Sequence, residues 1–96
     1  MMPEVAYKAE KGLIRVNLKV KAGKIEALTI SGDFFMYPED KLWELEDSLI
    51  GVNLEKAELL ANIRSFFSSN KVRTPGVKLE DFVMAILKAA ESKGSS

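Results

Sequence analysis

Ser31-Gly32-Asp33-Phe34-Phe35-Met36-Tyr37-Pro38-Glu39-Asp40 divides this chain into two kinds of sequence. Before it, apolar residues alternate with period two, as strands require; after it they recur every three or four residues, as helices require. A connection is ordinarily polar, yet this one carries Phe34, Phe35, Met36 and Tyr37, so part of it is expected to be tucked under the fold. Alternation carried on from Ile30 sends Phe34 inward and Phe35 outward. Phe35, with Met36 or Tyr37, is therefore the expected partner contact, since exposed aromatics and methionine anchor interfaces. Asp33 reads first as a turn former and second as a member of that contact.

Working back from the junction, Ile14, Val16, Leu18 and Val20 alternate with Arg15, Asn17, Lys19 and Lys21, giving a strand over 13–21 with one buried and one wet face. A shorter strand over 4–10 alternates at Val5, Tyr7 and Ala9, with Lys11-Gly12 as the intervening turn. The strand over 24–31 poses a question of register. A two-residue loop at Ala22-Gly23 would put Leu28 and Ile30 on the polar face. A three-residue loop, Lys21-Ala22-Gly23 with the glycine left-handed, sets Val16 against Leu28 and Ile14 against Ile30, and is the expected arrangement. It turns Ile25 and Ala27 outward beside Leu13, as a small apolar spot on the outer face.

Working forward, Pro38 suits a first helical position, Glu39 and Asp40 suit the positive end of the helix dipole, and Gly51 suits a stop. Leu42, Leu45 and Leu49 form the stripe of that helix, flanked by Trp43 and Ile50. A second helix is predicted over 54–68, capped by Asn53, with Leu59, Leu60, Ile63, Phe66 and Phe67 inward. Residues 68–78 form a loop, and a third helix over 79–91 buries Phe82, Val83, Ile86, Leu87 and Ala90. Residues 1–96 are read as one domain with an ordered core over 4–91 and a flexible tail over 92–96. Three strands followed by three helices make an α+β fold: an antiparallel meander with the second strand central and the helices packed on one face.

The chain contains neither cysteine nor histidine. It cannot build a thiolate nucleophile, a disulfide, an imidazole proton shuttle or a Cys/His zinc site. No catalytic residue and no metal or cofactor ligand is expected on it. Fourteen basic and fourteen acidic residues balance, which argues against a dedicated nucleic-acid binder. Arg15, Lys19, Lys21 and Lys24 still cluster on one hairpin, where a solvated sheet face competes with contact to an acidic partner or a phosphate. Glu44, Glu46 and Asp47 are expected on the outward side of their helix, without a third ligand for a metal ion. Lys71, Arg73 and Lys78 lie in the long loop, where solubility is the simplest role and partner contact the alternative. No run approaches a membrane span, and Met1-Met2-Pro3-Glu4-Val5 lacks the build of a signal peptide, so the expected location is cytoplasmic.

Gly12-Leu13-Ile14-Arg15-Val16, Val20-Lys21-Ala22-Gly23-Lys24-Ile25, Ile30-Ser31-Gly32-Asp33-Phe34-Phe35, Leu45, Leu49-Ile50-Gly51-Val52 and Glu80-Asp81-Phe82 together resemble the C-terminal accessory domain of lipoate-protein ligases. The likeness runs from about residue 5 to residue 87, and the Gly-Asp-Phe-Phe segment after the Lys-x-Gly-Lys-Ile hairpin is its most specific part. That family activates lipoate with ATP to lipoyl-adenylate and transfers the lipoyl group to a lysine of an acceptor domain. The resemblance implies an accessory role. The family's arginine- and glycine-rich lipoate motif, with its histidine and lysine, has no counterpart here. Because the chain starts with its own methionine, it looks like the separately encoded small subunit of a two-chain ligase. ATP, magnesium and lipoate are then expected on a large catalytic subunit, the implied heterodimer partner, and lipoyl acceptor domains are indirect partners. Asp33, Phe35, Met36, Tyr37, Leu13, Ile25, Arg15 and Lys19 are the expected partner-facing residues. The competing readings are a small protein- or nucleic-acid-binding module using the basic hairpin face, self-association through Leu13, Ile25 and Ala27, and fold kinship with iron-sulfur scaffold or sulfur-acceptor proteins, whose chemistry needs cysteine.

Overall fold

The computed structural model describes residues 4–94, with side chains from Val5 to Glu91. Its elements are β1 (Glu4–Ala9), β2 (Gly12–Lys21), β3 (Lys24–Asp33), α1 (Lys41–Ser48), α2 (Lys56–Asn70) and α3 (Leu79–Gly94). The strands form an antiparallel sheet in the order β1-β2-β3, with β2 central as two short connections require. α3 lies across β1 and β2, α1 lies along β3, and α2 packs on both other helices. Ile14, Val16, Leu18 and Ile30 face this helical layer and are buried, while Arg15 and Lys19 on the opposite face are exposed. The aromatic centre of the core is Phe82 of α3, which meets Phe34 edge-on at 5.4 Å and Phe67 at 5.8 Å between ring centroids. Phe34 thus turns inward as its strand parity predicts, and fixes the junction to the last helix.

Both hairpins differ from the sequence reading. The first turn is Glu10-Lys11, because Ala9 pairs with Gly12. Gly12 serves a close approach rather than a turn: a Cβ there would lie 2.7 Å from the Asp33 carbonyl oxygen and 3.0 Å from the Phe34 Cβ. In the second hairpin the loop is Ala22-Gly23, two residues at φ 54° and 76°, with Lys21 paired to Lys24. Two consecutive positive φ values match the twist of a tight hairpin. The register then shifts between Lys19 and Val20: Val20 pairs with Ile25 but Lys19 with Ala27, leaving Glu26 as the bulged residue. Leu28 consequently faces Leu18, and Ile30 faces Val16. The bulge lets Ile25 point inward at one end and Ile30 at the other, so Ile25 is buried instead of outward. Leu13 and Ala27 do stay on the outer face, but Ala27 pairs with Lys19, six residues along β2 from Leu13. At ~3.3 Å per residue they are about 20 Å apart and form no common spot.

Helix boundaries shift for identifiable reasons. Tyr37 forms an isolated bridge with Arg73, each N–H donating to the other's carbonyl at 2.8 Å. This bridge, and the restriction that Pro38 puts on its predecessor, hold Tyr37 extended and delay α1 to Lys41. Asn53 is not a cap: it bridges Lys24, and Glu55 precedes α2. α2 ends on Lys71 in the left-handed region at φ 53°. α3 continues to Gly94, past the expected end at 91, and residues 95 and 96 of the expected tail lie outside the described residues.

Candidate functional site

β3 is an edge strand, and its two ends are finished differently. At the hairpin end the chain supplies its own extended neighbour. Ile25 donates to the Val52 carbonyl at 3.0 Å and accepts from the Gly51 N–H at 2.7 Å, and Leu54 donates to the Gly23 carbonyl at 3.0 Å. At the other end, over residues 29–32, no backbone group beyond β2 pairs with the strand among the described residues. A side chain meets it there: the Ile30 N–H donates to Glu46 Oε2 of α1 at 2.6 Å.

Between this open edge and α1 lies a groove of about 510 Å³. Thr29, Ile30, Ser31 and Gly32 line it from the strand, Glu39, Leu42, Trp43 and Glu46 from the turn and helix opposite, and Phe34, Phe35 and Met36 from the junction. Trp43 also borders a second hollow with Glu39, Asp40 and Leu42. Trp43 is 72% exposed and Phe35 68%, well beyond what single surface apolar residues on a small domain need explain. The Phe35 and Tyr37 rings lie parallel with centroids 6.4 Å apart, so Tyr37 extends the same aromatic surface. The groove's charged lining is Glu39 and Glu46, with no lysine or arginine. Burial pushes the Glu46 carboxyl above its ordinary value, and the neighbouring Asp47 adds to this, while the Ile30 N–H works in the opposite direction.

The predicted partner residues separate into three groups. Phe35 and Tyr37 are exposed and adjacent, as expected for a contact, and Asp33 lies exposed at the end of β3. Met36 does not belong with them: it is buried, because the alternation that turns Phe35 out turns the next side chain in. Ile25 is likewise core, for the bulge already described. Leu13, Arg15 and Lys19 lie on the outer sheet face, away from the groove lining. Lys19 is 3.0 Å from Glu26, a pairing that holds the Glu26 carboxyl below its ordinary value and offsets part of the hairpin's positive charge. Glu46 is not outward on its helix, since it reaches the strand edge. Among the described residues no three carboxylates gather to hold a metal ion. Trp43, Glu39 and Glu46 were missed as a set. Trp43 and Glu46, three residues apart on α1, share a helical side, a signal available in the sequence but masked by the stronger leucine stripe, whereas Glu39 reaches the groove from the turn before the helix.

A model of the bacterial lipoate protein ligase C-terminus matches residues 4–86. The chain belongs to this family. It is 46% identical over 86 residues to lipoate-protein ligase A subunit 2 of Thermoplasma acidophilum, covering 90% of this chain and 88% of that one. A solved structure from an archaeal lipoylation system of the same organism, described as a bi-partite lipoate protein ligase and its E2 lipoyl domain, aligns with a TM-score of 0.78 and 48% identity. That alignment covers 88% of this chain and 93% of the solved one. The three-strand, three-helix architecture and the membership are thus in agreement. No helix among the described residues is long and apolar enough to cross a membrane.

Proposed function

We propose that this chain is the non-catalytic accessory subunit of a two-chain lipoate-protein ligase. It acts with a large catalytic subunit in the ATP-dependent activation of lipoate to lipoyl-adenylate, before transfer to a lysine of an acceptor domain. The observation that carries this reading is the match along 90% of the chain, and 88% of the relative, to a protein named as one subunit of such a ligase. A resemblance confined to part of a catalytic chain would not support a separate subunit; one that spans nearly both lengths does.

The residues support the division of labour. The acyl-adenylate reaction needs cations at the phosphates and a dry acyl pocket. The groove described above carries carboxylates, which repel a triphosphate, and the described residues gather no metal-holding cluster. ATP, magnesium and lipoate therefore belong, in this reading, on the large subunit. This chain contributes surface: Phe35, Tyr37 and Trp43 as the apolar anchors of the contact. An accessory subunit with such anchors promotes adenylation by binding one state of the catalytic subunit better than another, ordering the site without reacting in it.

The test is to purify the large catalytic subunit with and without this chain and to follow pyrophosphate release and lipoyl-adenylate. The expected result is little or no adenylate from either chain alone and turnover from the mixture. Full adenylation by the large subunit, unchanged on adding this chain, would sink the proposal.

A further inference from the structure

We propose that the large subunit docks by adding an extended segment to the outer edge of β3 at residues 29–32, with a lysine or arginine of that segment held between Glu39 and Glu46. The inference deepens the two-subunit reading above and rests on it. Three observations on this molecule converge. The first is the edge itself. β3 already accepts an extended segment at its hairpin end, where Gly51, Val52 and Leu54 pair with Ile25 and Gly23. The same edge continues unpaired toward Gly32, as a template for one more strand.

The second is Glu46. In an antiparallel strand, N–H groups alternate between the two sides, so Ile30 and Gly32 both direct theirs away from β2. The Glu46 carboxylate sits on the Ile30 N–H at 2.6 Å, where the carbonyl of an added strand would sit. It satisfies the edge in the isolated chain. On docking, the incoming carbonyl takes over that N–H and the carboxylate turns to a cation on the incoming segment. The third is complementarity. The groove offers two carboxylates and no positive side chain, with Phe35 and Trp43 as its exposed apolar walls. The segment that fits is extended, apolar where it meets the aromatics, and basic where it meets the acids. A basic side chain crossing the face of Trp43 gains a further electrostatic contact.

The experiment titrates this chain, by calorimetry, with the large catalytic subunit, and follows amide exchange and amide shifts at Ile30 and Gly32 by NMR in the free and bound chain. Glu39→Gln/Glu46→Gln keeps an acceptor for the Ile30 N–H while removing both charges. The expected results are new protection at Gly32, a changed amide shift at Ile30 as its acceptor passes from carboxylate to carbonyl, and roughly tenfold or greater weakening by the double variant at low salt, shrinking as salt rises. Should the double variant fold poorly, Glu39→Lys at an exposed position is expected to weaken binding at least as much. If a complex forms but neither variant weakens it, or the Gly32 amide stays unprotected and the Ile30 shift unchanged, the inference is overturned and the two-subunit reading stands. If no complex forms, both fall. If the chain alone self-associates with the Gly32 amide protected, a second copy fills the groove and the inference is likewise overturned.

Discussion

The two ends of β3 are built from the same strand and finished in opposite ways. Around Ile25 the outer edge is closed by the chain itself, through backbone bonds to residues 51–54 that follow α1. Around residues 29–32 it is met by a carboxylate and walled by exposed aromatics. Stability explains the first end completely, since the closed ladder satisfies the edge and buries Ile25. It does not explain the second. Exposed Phe35 and Trp43 add little to the isolated fold, and a half-buried carboxylate is a poor way to finish an edge. A small domain tolerates such a surface when something outside it is meant to complete it.

The most severe way to break the comparison is to substitute the glycine at each end of β3, Gly32 within the strand and Gly23 in the loop before it. Gly32 has φ 140°, and a Cβ there would collide with the Leu13 carbonyl oxygen. Neither the conformation nor the space admits a side chain, so Gly32→Ala is expected to cost about 3 kcal/mol or more and to unpair the open end of the β2–β3 ladder. Gly23, at φ 76°, has nothing within 4 Å of its would-be Cβ. Gly23→Asn, a residue that tolerates the left-handed region, is expected to cost under ~1 kcal/mol. Thermal unfolding followed by circular dichroism separates the two. Similar losses at both positions would mean that the open end is no more tightly specified than the loop.

Next in size is an effect on association alone. Phe35→Ser and Trp43→Ser remove side chains that the isolated fold hardly buries, so unfolding free energy is expected to change by no more than ~0.5 kcal/mol. Binding to the large catalytic subunit is expected to lose about 2 kcal/mol per substitution, or roughly thirtyfold, if these are the central anchors. Met84, 39% exposed on α3 and outside the groove lining, is the control for an apolar surface residue elsewhere. Equal losses for Met84→Ser in the same titration would place the contact elsewhere.

How much of this was legible depends on whether the signal is local. The alternation of Ile14, Val16 and Leu18 fixes the central strand, and the spacing of Leu59, Ile63 and Phe67 fixes α2, because each pattern is complete within one element. The bulge at Glu26 is not local. It is held by bonds from Ile25 to Gly51 and Val52, more than twenty residues on, so strict alternation gave the wrong loop and turned Ile25 outward. The start of α1 was misjudged for the same kind of reason, since the Arg73 bridge keeps Tyr37 extended. At the site, Phe35 was readable from parity, and carrying parity one residue further would have removed Met36 from the contact. Glu46 also had a local sign. It stands four residues after Leu42 and three before Leu49, which puts it on the inner flank of the stripe where charge is unexpected.

That carboxylate gives the smallest and most discriminating prediction. Burial, with Asp47, raises the Glu46 pKa above 4.5 in the folded chain, the Ile30 bond opposing it. The folded state therefore binds more protons than the unfolded one between 4.5 and the raised value, and stability declines as pH rises through that window. Glu46→Gln keeps an acceptor for the Ile30 N–H and never ionises. The variant is expected to be as stable as the parent or slightly more so at pH 7, by less than ~1 kcal/mol, with the gap closing as pH falls below 4.5. Paired unfolding curves at pH 7 and pH 4 read this directly. A marked loss on substitution at pH 7 would mean that the charge itself holds the edge of β3 in the isolated chain. A neutral or positive change, joined to weaker docking of the same carboxylate-to-amide substitutions, leaves the charge one remaining use, the partner.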